Sequence, residues 1–243
     1  GLSAVVQTQH HTLVFDTGPK FSENFNTGTA VVKPFLQQQG IQTIDTLIIS
    51  HGDNDHIGGA IPLINDVQTS TIFSSTPQLL PNASPCYANQ SWQWDDVTFS
   101  LLHPAINDSG SENNLSCVVK VSNTSGSILL SGDIEIETEN LLIQRYGEHL
   151  QSTILIAPHH GSKTSSSFAF LKQVKPEIII IPAGYLNRFS FPHAEVIQRY
   201  NDMNIKWINV ANEGAVSIEF KEKYVSISST RERLGKYWNY RLH

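Results

Sequence analysis

The sequence predicts a layered α/β fold in which β-sheets are covered by helices. Three observations predict it. Short runs rich in Val, Ile, Thr and Phe, bounded by Gly, Pro, Asn or Ser, recur along the whole chain. Helix-periodic stretches fall between these runs rather than in a block of their own. The 243 residues are 40% hydrophobic and 16% charged, a globular balance with enough apolar side chain for a sizeable core. Periodicity leaves the arrangement of the sheets open.

Strands are expected at Ala4–Gln7, Thr12–Phe15, Thr46–Ser50, Thr71–Ser74, Val97–Leu102, Ser116–Ser122 and Ser127–Ser131. Later ones are expected at Thr153–Ala157, Ile178–Pro182, Lys206–Asn209, Ala215–Glu219 and Tyr224–Ser229. Helices are expected over Ala30–Gln39, which has a stop signal at Gly40, and over Ile134–Arg145 and Phe168–Val174. A fourth is expected over His193–Met203, where Val196, Ile197 and Tyr200 recur at helical spacing. No internal repeat or low-complexity tract interrupts the pattern, so residues 1–230 are read as one domain and 231–243 as a basic, aromatic tail. The longest apolar runs, Thr153–Pro158 and Glu177–Pro182, fall far short of the roughly 20 residues that span a bilayer. Gly1 opens the chain and the single methionine is Met203, which reads as a piece of a longer protein.

The net charge of −6 does not suit a general nucleic-acid binder, so any contact with a polyanion has to be local. In the tail, Arg231, Arg233, Lys236 and Arg241 interleave with Tyr237, Trp238 and Tyr240. That pattern suits phosphate contact with base stacking; it equally describes a solvated terminus or the start of a linker. Cys86 and Cys117 form no CxxC pair, which argues against a thiolate zinc site. They are either two ordinary thiols or one bridge.

The chemistry concentrates in Ser50-His51-Gly52-Asp53-Asn54-Asp55-His56-Ile57-Gly58-Gly59, directly after the apolar run Leu47-Ile48-Ile49. Four potential ligands fall within six residues. A loop is expected here, because a loop can curl these side chains toward one point. Imidazole and carboxylate are the usual ligands of zinc, manganese and iron. Asp and Asn clusters also occur in ordinary surface turns, but two histidines bracketing two aspartates after a buried-type strand favour a metal.

This loop resembles the HxHxDH signature of the metallo-β-lactamase superfamily, with Asp53 in place of the second histidine. The HxDxDH-Gly-Gly variant is similar to that of the ComEC family of DNA-uptake channel proteins. Other pieces resemble the family in order: Phe15-Asp16-Thr17-Gly18, Asn114-Leu115-Ser116, Leu130-Ser131-Gly132-Asp133-Ile134-Glu135, Ala157-Pro158-His159-His160-Gly161-Ser162, and Asn187 with Pro192-His193.

The resemblance implies a four-layer αβ/βα fold and two divalent metal ions, manganese or zinc. It implies that Asp55 and His56 hold one metal, that His51 and Asp53 hold the other, and that Asp133 bridges them. One or both of His159 and His160, and then His193, complete the ligand set. Read alone, Asp133 suits a helix N-terminus, His193 a helix cap, and one histidine of the 159–160 pair the orienting of the other. Asp16, Asn114, Ser116 and Asn187 are expected to support the ligands rather than bind metal. His103, at a strand end, is either a further ligand or an ordinary strand-exit residue, and His10 and His11 read as turn residues. Asp53 makes the site richer in oxygen, which moves preference toward harder ions such as manganese.

A metal pair acidifies bound water, polarises the electrophile and stabilises the leaving oxygen, which suits hydrolysis of a phosphodiester or acyl bond. Asp55, His160 and Lys163 are the expected catalytic set: a histidine not used as ligand can protonate the leaving group, and Lys163 can contact phosphate. The absence of a GxSxG elbow or a P-loop argues against serine chemistry and a nucleotide cofactor. The resemblance further implies DNA as substrate, Lys163 and the tail cations as contacts to it, a membrane channel domain of the parent protein as partner, and a place at the periplasmic face of the inner membrane. Hydrolysis of another envelope or small-molecule phosphoester, or a non-catalytic role guiding DNA, are the alternatives.

Overall fold

A computed structural model describes residues 1–222 and 224–233. The expected contacts at Lys236 and Arg241 lie outside the described residues. The chain opens with β1 (Ala4–Gln7) and β2 (Thr12–Phe15), followed by a small hairpin of β3 (Lys20–Ser22) and β4 (Phe25–Asn26). A π-helical turn, Gly28–Val32, runs into α1 (Lys33–Gln38), whose first turn holds Pro34 where no backbone donor is needed. Then come β5 (Thr43–Ile49), α2 (Asn54–Ile57), α3 (Ala60–Asp66), β6 (Gln68–Ser74) and β7 (Ser84–Pro85). These strands make the first sheet, in the order β1-β2-β5-β6-β7.

The second sheet takes β8 (Ser91–Trp94), β9 (Val97–His103), β10 (Val118–Asn123) and β11 (Gly126–Leu130) as antiparallel neighbours. It continues after α4 (Ile136–Tyr146) with β12 (Ile154–Ile156), after α5 (Phe168–Val174) with β13 (Ile178–Ile181), and after α6 (Ala194–Asp202) with β14 (Lys206–Asn209), all parallel. The short α7 (Val210–Glu213), the hairpin β15 (Val216–Lys221) with β16 (Tyr224–Ser229), and α8 (Thr230–Arg233) end the described chain.

Three cores define four layers. Leu13, Phe15 and Ile48 of the first sheet meet Phe99, Leu101, Val119 and Leu130 of the second in a central core. The outer face of the first sheet, with Val14, Leu47 and Ile49, packs on Val32, Leu36 and Leu63 of the helical layer. The outer face of the second sheet, with Leu129, Leu155 and Ile179, packs on Leu142, Phe170, Leu171 and Tyr200. Strands buried on both faces explain why β5, β12 and β13 read as continuous apolar runs rather than alternating ones. The expected αβ/βα layering is what the chain adopts.

Several boundaries differ from expectation for identifiable reasons. Ser50 leaves β5 because its backbone N–H donates to the Asp16 carboxylate at 2.7 Å. Ser116 and Cys117 precede β10 because the Cys117 N–H turns to the Ser50 carbonyl at 2.8 Å. The ligand-rich segment is not a plain loop: Asn54–Ile57 forms one helical turn. Ala60–Asp66 is helical despite Pro62, which lies in the first turn, where its missing N–H costs nothing.

Cys86 and Cys117 form a disulfide, both side chains fully buried, across 31 residues of sequence. The Cys86 N–H donates to Ser74 at the end of β6, so the bridge ties the edge of the first sheet to the start of β10 in the second. Replacing both cysteines with serine is expected to lower stability by about 2–4 kcal/mol, read as a fall in the denaturation midpoint. An unchanged midpoint would mean that packing alone holds the two sheets in register.

Candidate metal centre

The centre lies where the chain leaves the parallel strands of both sheets. Asp16, just past β2, is fully buried and accepts three hydrogen bonds. Its Oδ1 takes the Ser50 N–H at 2.7 Å, and its Oδ2 takes the Ser50 hydroxyl at 2.8 Å and faces His56 Nδ1 at 2.7 Å. A carboxylate on Nδ1 keeps the proton there, so His56 turns Nε2 inward as a ligand atom. Thr17 grips the same turn, its N–H and hydroxyl both donating to the His56 carbonyl at 2.9 Å. Behind the turn the backbones of Gly28 and Gly59 touch: a Cβ on Gly28 would lie 2.1 Å from the Gly59 carbonyl oxygen. The second glycine of the Gly-Gly pair is therefore fixed by this close approach.

Asp133 follows β11 through Gly132, whose φ is +55° and whose added Cβ would meet Ser116 and Ser50 at 2.8 and 2.9 Å. The Asp133 N–H donates to the Ser116 hydroxyl at 3.2 Å. His159 and His160, after β12, both adopt left-handed backbone (φ 48° and 54°), an unusual state for two adjacent side-chain-bearing residues. The His159 N–H to the Gly132 carbonyl (3.2 Å) and the His193 N–H to the Gly161 carbonyl (3.0 Å) hold it. The strain aims both rings at Asp133.

Asp133 is the meeting point. Its Oδ1 lies 3.1 Å from His56 Nε2, and its Oδ2 lies 3.4 Å from His160 Nε2 and 3.9 Å from both His51 Nε2 and His159 Nε2. His51 Nε2 also faces Asp53 at 3.5 Å, and His160 Nε2 faces Asp55 at 3.1 Å. Two groups have ligand atoms within 4.8 Å of one another: His51, His56 and Asp133, and Asp55, His56 and His160.

The donors fit divalent cations. His51 Nε2 is buried with no hydrogen-bond partner, and the Nε2 atoms of His56 and His160 face each other at 3.1 Å. Burial works against charge on His56, but Asp133 and Asp16 outweigh it and raise its pKa well above the usual imidazole value. Burial likewise opposes charge on Asp133 and Asp55, yet the surrounding imidazoles lower both pKa values. A site built from imidazole and carboxylate is chemically suited to zinc or manganese.

The remaining expected residues are placed as follows. Ser116 and Asp16 touch the ligand-bearing segments directly. The Asn114 side chain accepts from Glu135 N–H at 2.9 Å and from the Thr138 hydroxyl at 3.1 Å, bracing the turn after Asp133. Asn187 stitches its own loop through Phe191 and Gly184. Lys163 is exposed beside the centre in sequence. His193 caps α6 with its ring against Phe191, 5.2 Å between centroids, and enters neither ligand group. His103 is buried, its Nε2 on the Asn114 carbonyl at 2.8 Å and its Nδ1 3.1 Å from the Asp108 carboxylate, and it enters neither ligand group. His10 and His11 sit in the β1–β2 turn and pair with Asp95. Arg231 binds the carbonyls of Ala211 and Asn212, while Arg233 is exposed. Sequence reading missed Glu135, which faces His159 Nδ1 at 3.4 Å beside Thr164 at the same distance, and Phe191, whose ring meets both 159–160 histidines.

Comparison with known proteins agrees with this fold. Residues 1–184 match the family model for the metallo-β-lactamase superfamily. The chain is 34% identical over 239 residues, 98% of its length, to competence protein ComA of Neisseria gonorrhoeae, of which it covers 33%. It is 29% identical over 240 residues to recombination protein 2 of Haemophilus influenzae, of which it covers 30%. The chain thus spans about a third of the length of these curated relatives. Among solved structures, the metallo-β-lactamase fold protein YhfI of Bacillus subtilis superposes with a TM-score of 0.53 at 13% identity, over 93% of this chain and 91% of that one. Ordered ligand motifs, the four layers and the family match converge: the chain belongs to the metallo-β-lactamase superfamily and carries its metal-dependent hydrolase fold.

Proposed function

We propose that this domain is a binuclear metal-dependent phosphodiesterase that cuts DNA beside an uptake channel during natural transformation. The observation that carries the reading is Asp133, one carboxylate facing four imidazoles at the junction of two ligand groups that share His56. His51, Asp53, Asp55, His56, Asp133 and His160 would hold the ions, with His159 beside them. When bound, manganese or zinc would acidify water and neutralise charge developing on a phosphodiester.

The chain's own residues then divide the work. Asp16 and Ser116 orient the ligands. His159 is the more exposed of its pair, and its Nδ1 is steadied by Glu135 and Thr164. This supports His159 as the group that would give a proton to the leaving oxygen, a role first expected of His160, whose Nε2 faces Asp55 and Asp133. Lys163, exposed next to this segment, is free to meet a substrate phosphate.

The competence and recombination names of the relatives support the link to DNA uptake and to a membrane channel in the same longer protein. No helix among the described residues is long and apolar enough to cross a membrane, which leaves anchoring to the rest of such a protein. The buried disulfide supports a periplasmic, oxidising location.

The test is cleavage of single- and double-stranded DNA by metal-stripped protein resupplied with manganese or zinc, beside the double variant Asp55→Ala, His56→Ala. Metal-dependent cleavage that the double variant loses is expected. Stoichiometric metal binding without cleavage of either DNA would reject the nuclease reading in favour of another phosphoester or a guiding role.

A further inference from the structure

Two exposed aromatic pairs rim the centre, and the ligand set does not use them. Phe21 and Phe25 of the β3–β4 hairpin stack on each other, 5.4 Å between centroids, with 65% and 53% of their surfaces exposed. This hairpin is fastened to the metal turn: the Asn54 amide donates to the Lys20 carbonyl at 3.0 Å and its oxygen accepts the Lys20 N–H at 3.3 Å. Asn54 sits between Asp53 and Asp55, so the pair is held one residue from the ligand-bearing turn.

The segment after β13 carries a second run of aromatic contacts. The ring of Phe191 meets His159 and His160 at 5.5 and 6.2 Å. Phe189, 54% exposed, stacks on Phe191 at 5.4 Å, and the Arg188 guanidinium lies over Phe189 at 4.6 Å. The run therefore extends from His159 and His160 out to a cation at the surface. The same segment walls an open cleft of about 290 Å³, lined among others by Tyr185, Phe191 and Asn212.

Exposed large aromatics lose hydration free energy and are seldom left in contiguous patches on a soluble surface without an occupant. Here the rings are ordered into parallel pairs, and a guanidinium caps one of them. An aliphatic or membrane partner has no need of that order. A nucleobase does, since it stacks on an aromatic or guanidinium face while its phosphate meets the positive charge. In a duplex the base faces are already covered by their neighbours, so flat side-chain platforms gain nothing from it.

We infer that Phe21 with Phe25, and Phe189 with Arg188, are base-stacking subsites beside the centre, and that the substrate they select is single-stranded nucleic acid. This rests on the nuclease reading for its link to cleavage, but the stacking itself needs no chemistry. It also gives an acidic domain a way to hold a polyanion, by bases rather than by a broad basic face.

The probe is a fluorescein-labelled thymidine oligonucleotide of about 20 nucleotides, against a duplex of equal length. The proteins are the wild type, Phe21→Ala with Phe25→Ala, Arg188→Ala with Phe189→Ala, and the ring-keeping Phe21→Tyr with Phe25→Tyr. Binding is read by anisotropy in chelator, and KM and kcat by cleavage in manganese. Each alanine pair is expected to weaken single-strand binding and raise its KM by about tenfold or more, the worth of one stacked base. Values of kcat should stay within about twofold, duplex values should stay unchanged, and the tyrosine pair should restore binding. Alanine pairs that bind and cleave single strands like the wild type would overturn the inference, as would equal losses on duplex. So would a wild type that fails to bind the oligonucleotide at all, and those results would point to a protein or membrane surface instead. A wild type that binds in chelator through these rings but never cleaves would leave the subsites standing and remove the nuclease reading.

Discussion

Asp133→Asn is expected to reduce metal-dependent cleavage by about 10³-fold or more and to lower the bound metal below two ions per chain. The carboxylate faces His56 through one oxygen and His51, His159 and His160 through the other. Asparagine keeps the volume but replaces one anionic oxygen with an amide NH2, which repels a cation and cannot bridge two. The fold should survive, because the hydrogen bond that places the residue, Asp133 N–H to the Ser116 hydroxyl, does not use the Asp133 side chain. Metal content by elemental analysis and kcat/KM on single-stranded DNA check the outcome together. Activity within tenfold of wild type at full metal content would remove Asp133 from the bridging role.

The second large effect is expected at a residue that touches no metal. Asp16→Ala removes the buried acceptor shared by Ser50 N–H, the Ser50 hydroxyl and His56 Nδ1, leaving the N–H unanswered and the hydroxyl between His51 Nδ1 at 3.0 Å and His56 Nδ1 at 3.2 Å. Metal affinity should fall about 10–100-fold, the usual cost of losing the group that orients an imidazole ligand. Stability should fall by about 3 kcal/mol, since each orphaned buried donor costs about 1–3 kcal/mol. Asp16→Asn keeps one acceptor oxygen and should lose less of both. Chelator competition gives the affinity and denaturation the stability. Wild-type metal affinity in Asp16→Ala would mean that the packing of the turn alone aims His56.

The candidate ligands were legible because they fall in clusters: four in the 51–56 segment, two at 159–160 and one just after Gly132. The layering was legible because strands buried on both faces leave continuous apolar runs. What stayed hidden needs partners distant in the chain. Glu135 gains meaning only when it faces His159, 24 residues on, in the folded chain. Whether Cys86 and Cys117 pair depends on Ser74 and Ser50 drawing both backbones to one seam. Asn54–Ile57 coils because Asn54 and Asp53 carbonyls accept within the turn, although its Asn-Asp-His composition reads as loop. Phe21, Phe25 and Phe189 are exposed, so they belong to no hydrophobic period and carry no pattern to read. His193 caps α6 with its ring against Phe191, a contact that only the folded chain supplies.

The left-handed pair at His159 and His160 has a consequence for portability. In a free peptide of this segment nothing would offset the roughly 1–2 kcal/mol that each such residue costs, and the two imidazoles would diverge. The centre therefore cannot be transplanted as a short motif into another scaffold, nor blocked by a mimic of its histidine segment. Whatever recipient or inhibitor is designed has to reproduce the paired carbonyls of Gly132 and Gly161 that hold this corner of the chain in place.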